Sequence, residues 1–74
     1  MTKVRKNREK HEIALGKRIQ ELRKQKKWSQ QAAADKYGCI MRRWQQFEEG
    51  TNVTLGVLYR LAKTLSVEPW QLLK

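Results

Sequence analysis

Apolar and polar positions along this chain repeat with a helical period and never with the alternation of a strand. Leu15, Ile19 and Leu22 fall at i, i+4 and i+7, so residues 12–26 predict an amphipathic helix, weakened slightly by Gly16. Lys17, Arg18, Glu21, Lys24 and Gln25 point the other way. Ser29 then stands as an N-cap, with a hydroxyl able to accept from an orphan N–H of the next turn. Residues 30–37 follow as a short second helix with Ala32, Ala33 and Ala34 inside it, and Gly38 suits its left-handed stop. Trp28, large and apolar, is expected to plug the core.

Residues 41–49 predict a third helix. Trp44 and Phe47 share one face, Met41, Arg42, Arg43, Gln45 and Gln46 cover the rest, and Gly50 is the next stop. Residues 51–53 read as a loop. Thr54 caps a fourth helix running to Leu65, with Leu55, Leu58, Leu61, Ala62 and Leu65 as its apolar stripe. Ser66 and Val67 lead to a last short helix that opens on Pro69, where a missing N–H costs nothing. The expected fold class is all-α: a compact bundle of four to five short helices.

Length changes the picture little: 74 residues make one domain at most, with a core small enough that pairing would add stability. Two segments are expected, a basic N-terminal arm over 1–11 and the folded domain over 12–74. The arm carries Lys3, Arg5, Lys6, Arg8 and Lys10 against Glu9, so it reads as mobile or as a frayed helix start.

Charge changes it a great deal. Seventeen Lys and Arg against seven Asp and Glu leave a formal net charge of +10. A small domain that basic points to a polyanion: nucleic acid first, an anionic membrane surface second, with a merely soluble basic surface as the bland alternative. The single His11 and the single Cys39 supply neither a metal set nor a Cys–His pair, so no metal and no cofactor are expected. The sequence carries no catalytic acid–base set and no phosphate loop, which argues against an enzyme. It carries no long apolar run and no signal peptide, so no membrane role and a cytoplasmic, nucleoid-associated location are expected.

The constellation SQQAAADKYGCIMRRWQQFEEG, residues 29–50, joins a capped small-faced helix, a glycine turn and a helix dense in Arg and Gln. With LGKRIQELRKQKKWSQ before it and TLGVLYRLAKTLSV after it, the chain resembles the Cro and phage-repressor type of helix-turn-helix, the XRE family, over roughly residues 15–73. The shared signs are an Arg-bearing first helix, Ser-Gln opening the second, Gly at the turn, and Glu-x-Gly closing the third. Two positions depart from the family pattern: Ile40 stands where a capping Ser or Thr is usual, so the third helix is expected to fray or shift at its start, and Ala33 stands where Leu is usual, a space for Trp44 to fill.

The resemblance implies a small transcriptional regulator, acting as a repressor, that binds double-stranded DNA as a homodimer on a palindromic operator. No small-molecule effector domain is evident. Residues 41–49 would enter the major groove, with Met41, Arg42, Arg43, Gln45 and Gln46 at base edges, Arg42 and Gln46 foremost. Arg pairs bidentately with guanine and Gln with adenine. Gln30 would grip a phosphate, with Ser29, Thr51 and Asn52 beside it on the backbone. Arg23 and Glu48 would form a structural ion pair, which also suits an acid at a helix C-terminus, where the dipole disfavours it. Trp70, Leu72 and Leu73 would pack inward or make the dimer contact. The NVTL segment is similar to controller proteins of restriction–modification systems and to antitoxin-like regulators. A protein-interaction module and a nonspecific nucleic-acid binder remain open beside these readings, and a basic helix face weighs against the former.

Overall fold

The four expected helices form, α2 and α4 on side-chain N-caps and α3 on backbone bonds alone. The computed structural model describes residues 10–73: α1 (Lys10–Gln25), α2 (Gln30–Tyr37), α3 (Met41–Glu48), α4 (Leu55–Leu65) and a closing 3₁₀ turn, Pro69–Leu73. Among the described residues there is no strand. α1 starts at Lys10, two residues before its expected start. The rest of the basic arm expected over 1–11 lies outside the described residues.

Ser29 and Thr54 cap as their hydroxyls suggest, accepting from the backbone N–H groups of Ala32 and Val57 at 3.0 and 3.3 Å. Ile40 offers no capping oxygen, yet α3 neither frays nor shifts. The extended Ile40 backbone instead accepts from Arg43 and Trp44 at 3.0 and 3.2 Å, which starts the helix at Met41. All four helices end on a left-handed residue: Lys27, Gly38, Gly50 and Ser66. After α3 the N–H of Thr51 reaches back to the Gln46 carbonyl, and that of Gly50 to Phe47, both at 2.9 Å, which satisfies two orphan acceptors.

The core is Ile19 and Leu22 of α1, Ala33, Ala34 and Tyr37 of α2, Trp44 and Phe47 of α3, Leu58, Leu61, Ala62 and Leu65 of α4, and Leu72. Tyr37, Trp44 and Phe47 meet edge-to-face, with centroids 5.1 to 6.2 Å apart, the geometry that ring quadrupoles favour. Trp28 is only half-buried. It lies against the core rather than within it, with the ammonium groups of Lys26 and Lys36 5.4 and 5.1 Å from its ring. Leu55 departs from the expected stripe: it starts α4 at the margin of the apolar face and stands exposed.

α1 and α3 pack almost backbone to backbone. A Cβ on Gly16 would fall 2.3 Å from the Glu48 carbonyl oxygen, and one on Gly50, at φ +82°, would fall 2.1 Å from that of Glu12. Only hydrogen fits at either place. Gly16, which costs α1 some helix propensity, is therefore what lets the C-terminus of α3 seat on α1.

The Pro69–Leu73 turn closes the bundle. Leu72 is fully buried, and Arg18 of α1 donates from Nε to the Gln71 carbonyl at 3.1 Å. Leu72 thus belongs to the core of one chain and is not available as a dimer contact. Trp70 and Leu73 are exposed.

Candidate nucleic-acid interface

Seating α3 on α1 decides which of its residues face outward. Trp44 and Phe47 point into the core, as does the Glu48 carboxylate, while Met41, Arg42 and Arg43 stand exposed and Gln45 and Gln46 are half-buried. Arg42 extends from the outward face. Arg43 turns back toward the molecule, with its guanidinium 5.4 Å from the Phe47 ring, so it is the less free of the two arginines.

Glu48 is the anchor beneath this face. Arg23 Nε donates to Oε2 at 2.5 Å, and the Trp44 indole N–H donates to the same oxygen at 2.6 Å. Gln20 and Gln30 donate to Oε1 at 3.3 and 3.0 Å. Burial alone would push the Glu48 carboxyl up. The hydrogen bonds from Arg23, Gln30 and Trp44, with the positive charge of Arg23, outweigh that and hold it below its ordinary value. Arg23 also donates from Nη1 to the Trp28 carbonyl at 2.7 Å, so one guanidinium ties α1, the turn before α2 and α3 together.

Gln30 and Gln45, a phosphate contact and a base contact in the sequence reading, bond each other. Gln45 Nε2 donates to Gln30 Oε1 at 3.2 Å, while Gln30 Nε2 is held on Glu48. Ser29, exposed at the N-terminus of α2, spends an acceptor on its own helix. Thr51 and Asn52 follow α3 in the loop, and Asn52 takes the left-handed conformation, at φ +61°. Gln30 at the N-terminus of α2 and Gln45 of α3 are joined by the network centred on Glu48; among the described residues no bond places Ser29 or Asn52 in it.

Three contributors were not anticipated. Trp44 and Glu48 are four apart on one helix, and Gln20 lies one turn before Arg23 on α1, so helical spacing could have found both pairs. Arg60 leaves no local signal: from α4 it donates to the Tyr37 carbonyl at 2.8 Å and stacks 4.5 Å from the Tyr37 ring, closing the end of α2. Cys39, in the turn, is half-buried, and burial pushes its thiol up despite the nearby Arg43 and Arg60, which disfavours a reactive thiolate. Among the described residues no group of His, Cys, Asp and Glu could hold a metal ion, and no helix is long and apolar enough to cross a membrane.

A model of the helix-turn-helix domain matches residues 14–72, most of the chain. Among solved structures, the restriction-modification controller protein C.AhdI from Aeromonas hydrophila is 34% identical, with a TM-score of 0.76 over 82% of this chain and 94% of that one. The hypothetical transcription factor NHTF from Neisseria is 24% identical, with a TM-score of 0.81 over 99% of this chain and 87% of that one, and shares the fold. No curated protein matches the chain. With the family model covering residues 14–72, the chain belongs to the helix-turn-helix domain family, in the Cro and phage-repressor type, and is a DNA-binding regulator.

Proposed function

We propose that the protein reads a specific double-stranded DNA sequence as a homodimer on a palindromic operator and represses transcription there. The observation that carries this is α3: its aromatic residues and Glu48 are fixed in the core while Arg42 and Gln46 stand on the opposite side. A rigid helix with that division can lie in a major groove and offer side chains to base edges. Met41, Arg43 and Gln45 flank these two. Ser29, Gln30, Thr51 and Asn52 sit at the helix and loop ends, where contacts to phosphate fix register.

One such helix reads only a few base pairs. A twofold pair reads two half-sites roughly 34 Å apart. The apolar surface suits a second copy. Leu73 and Leu55, 64% and 66% exposed, border an open groove of about 220 Å³ that Leu15, Val53, Thr54 and Leu58 complete. Tyr59 lies one turn beyond Leu55, and Trp70 one turn before Leu73. Occupied operator would exclude polymerase.

Selection of bound duplexes from a random DNA pool tests this reading. A recovered palindrome supports it. Equal retention of all sequences, with affinity set by salt alone, would identify a nonspecific binder. The likeness to C.AhdI favours a second, narrower reading, that the regulated genes are those of a restriction–modification system. A selected operator lying beside such genes would distinguish it from a regulator of other genes.

A further inference from the structure

Arg60 of α4 turns its guanidinium onto the end of α2. Nη2 donates to the Tyr37 carbonyl at 2.8 Å, one of the acceptors that the last turn of α2 leaves without a partner of its own. The guanidinium carbon lies 4.5 Å from the centre of the Tyr37 ring. The same Nη2 stands 3.1 Å from where a Cβ on Gly38 would be, so the group also covers the turn between α2 and α3. A cation there suits the negative end of the α2 dipole. Fixing so long a side chain costs rotamer entropy, yet Arg60 is held at an exposed position by a hydrogen bond and a stack together.

The Tyr37 ring in turn meets Trp44 and Phe47 edge-to-face, at 6.2 and 5.1 Å. Those two side chains fix the inward face of α3. At its C-terminal end α3 is anchored, because Glu48 binds Arg23 and the glycines let the backbones meet. Its N-terminal end has no side-chain cap, since Ile40 offers none. A rod held at one end can still swing at the other, and Met41, Arg42 and Arg43 stand exposed at that other end. We infer that Arg60 is a positioning residue for the recognition helix. By clamping Tyr37 and the turn after it, Arg60 sets the angle at which the N-terminal half of α3 leaves the body of the protein. This rests on the reading of α3 as a base-reading helix, and adds what aims it. Recognition side chains keep their fit only when the groups behind them hold them within about 0.5 Å. A small swing therefore misaligns Arg42, while Ser29, Gln30 and Asn52, on other segments, stay where they are.

The test compares the full chain with Arg60→Met, Tyr37→Leu and the double variant. Each is titrated on a duplex that the parent protein selects from a random pool and on a scrambled duplex of the same composition, at a temperature where melting curves show all four folded. Arg60→Met should lower the ratio of the two affinities roughly ten-fold, the order of one lost base contact. In the Tyr37→Leu background the same substitution should lower it by less, because the ring through which it acts is gone. Amide resonances of the DNA-free proteins give a readout that stability alone does not move. Arg60→Met should shift those of residues 41–44 and leave those of Glu48 and Gly50, at the anchored end, in place. An unchanged ratio overturns the role in recognition, whatever the melting temperature does. An equal loss on both duplexes makes Arg60 a contact to phosphate and overturns it as well. A fall in the ratio with the resonances of residues 41–44 unmoved, or with a fully additive loss in the double variant, overturns the path through Tyr37 to α3. A parent protein that binds every duplex alike overturns the base-reading helix itself, a failure visible before any substitution is made.

Discussion

Arg23 of α1 and Glu48 of α3 meet with Nε 2.5 Å from Oε2, the two side chains 9% and 4% exposed, directly behind the helix that faces the solvent. A pair so buried is weak evidence of net stabilisation, because desolvating two charges offsets much of their attraction. Breaking it is another matter. Arg23→Met leaves a buried carboxylate with its neutral donors alone, and should cost about 3–5 kcal/mol of stability, measured by urea unfolding. An unfolding midpoint equal to that of the parent protein would show that Gln20, Gln30 and Trp44 suffice to hold Glu48.

Glu48 also predicts an acid limb. Its carboxyl is held below its ordinary value of 4.5, because the hydrogen bonds of Arg23, Gln30 and Trp44 overcome the burial that would raise it. A folded pKa lower than the unfolded one means that the unfolded chain takes up the proton first as pH falls. The stability contributed by Glu48 is therefore complete above the ordinary carboxylate range and is lost from about pH 4.5 downward, through the lower folded pKa. Glu48→Gln should be less stable at neutral pH and lose less on acidification. Melting temperatures that fall in parallel for both proteins between pH 6 and about pH 3 would sink this assignment.

Two glycine substitutions should act in opposite directions. Gly16→Ala puts a methyl 2.3 Å from the Glu48 carbonyl oxygen, a backbone atom with no flexible end to yield. α3 must then move off α1, at a cost of about 1–3 kcal/mol, and DNA affinity should fall with it. Gly56→Ala, in α4, meets nothing within 4 Å and gains helix propensity, stabilising by up to about 1 kcal/mol. Thermal melts of both variants check the pair. If Gly16→Ala melts above the parent protein, the close approach of α1 and α3 is not tight in solution.

These contrasts mark what the sequence could reveal. Both bounds of α2 and the start of α4 were legible because Ser29 and Thr54 are capping residues and Gly38 is a stop residue. Lys27 and Ser66 do the same work as Gly38 in the same left-handed conformation, but their side chains give no sign of it. Spacing placed Trp44 and Phe47 inside. It could not separate Leu72, which is fully buried, from its exposed neighbour Leu73, because a five-residue 3₁₀ turn is too short to set a face. In the site, Gln30 and Gln45 read as outward polar residues. Their mutual bond spans fifteen positions, and the bond of Gln30 to Glu48 spans eighteen, so no local pattern encodes either.

Arg42 and Asn52 should respond differently to truncation. Arg42 stands exposed on the outward face of α3, whereas Asn52 is exposed in the loop after it. Arg42→Ala should cost about 1–3 kcal/mol on the preferred duplex and relax preference at one or two base pairs. Asn52→Ala should weaken binding evenly across sequences. Titrations of each variant on the selected duplex and on a scrambled one separate the two cases. An even loss in Arg42→Ala would reassign that arginine to a phosphate.

Leu55 and Leu73 are the residues on which dimerisation should depend. They lie eighteen positions apart in the chain, yet both line the groove beside Leu15, Val53 and Leu58. As exposed apolar side chains next to a concave apolar surface, they can be covered by the same surface of a second copy about a twofold axis. Leu73→Glu places a charge there without touching the core, since Leu72 and not Leu73 fills the interior. The variant should fold with a similar melting temperature at high dilution, sediment as a monomer at concentrations where the parent protein is expected to form the proposed dimer, and bind a single half-site about as well as before. On the full palindrome its affinity should fall by two orders of magnitude or so, as the second recognition helix is no longer brought to its half-site at high local concentration. A Leu73→Glu protein that remains a dimer would move the twofold contact to another face, and with it the expected spacing of the half-sites.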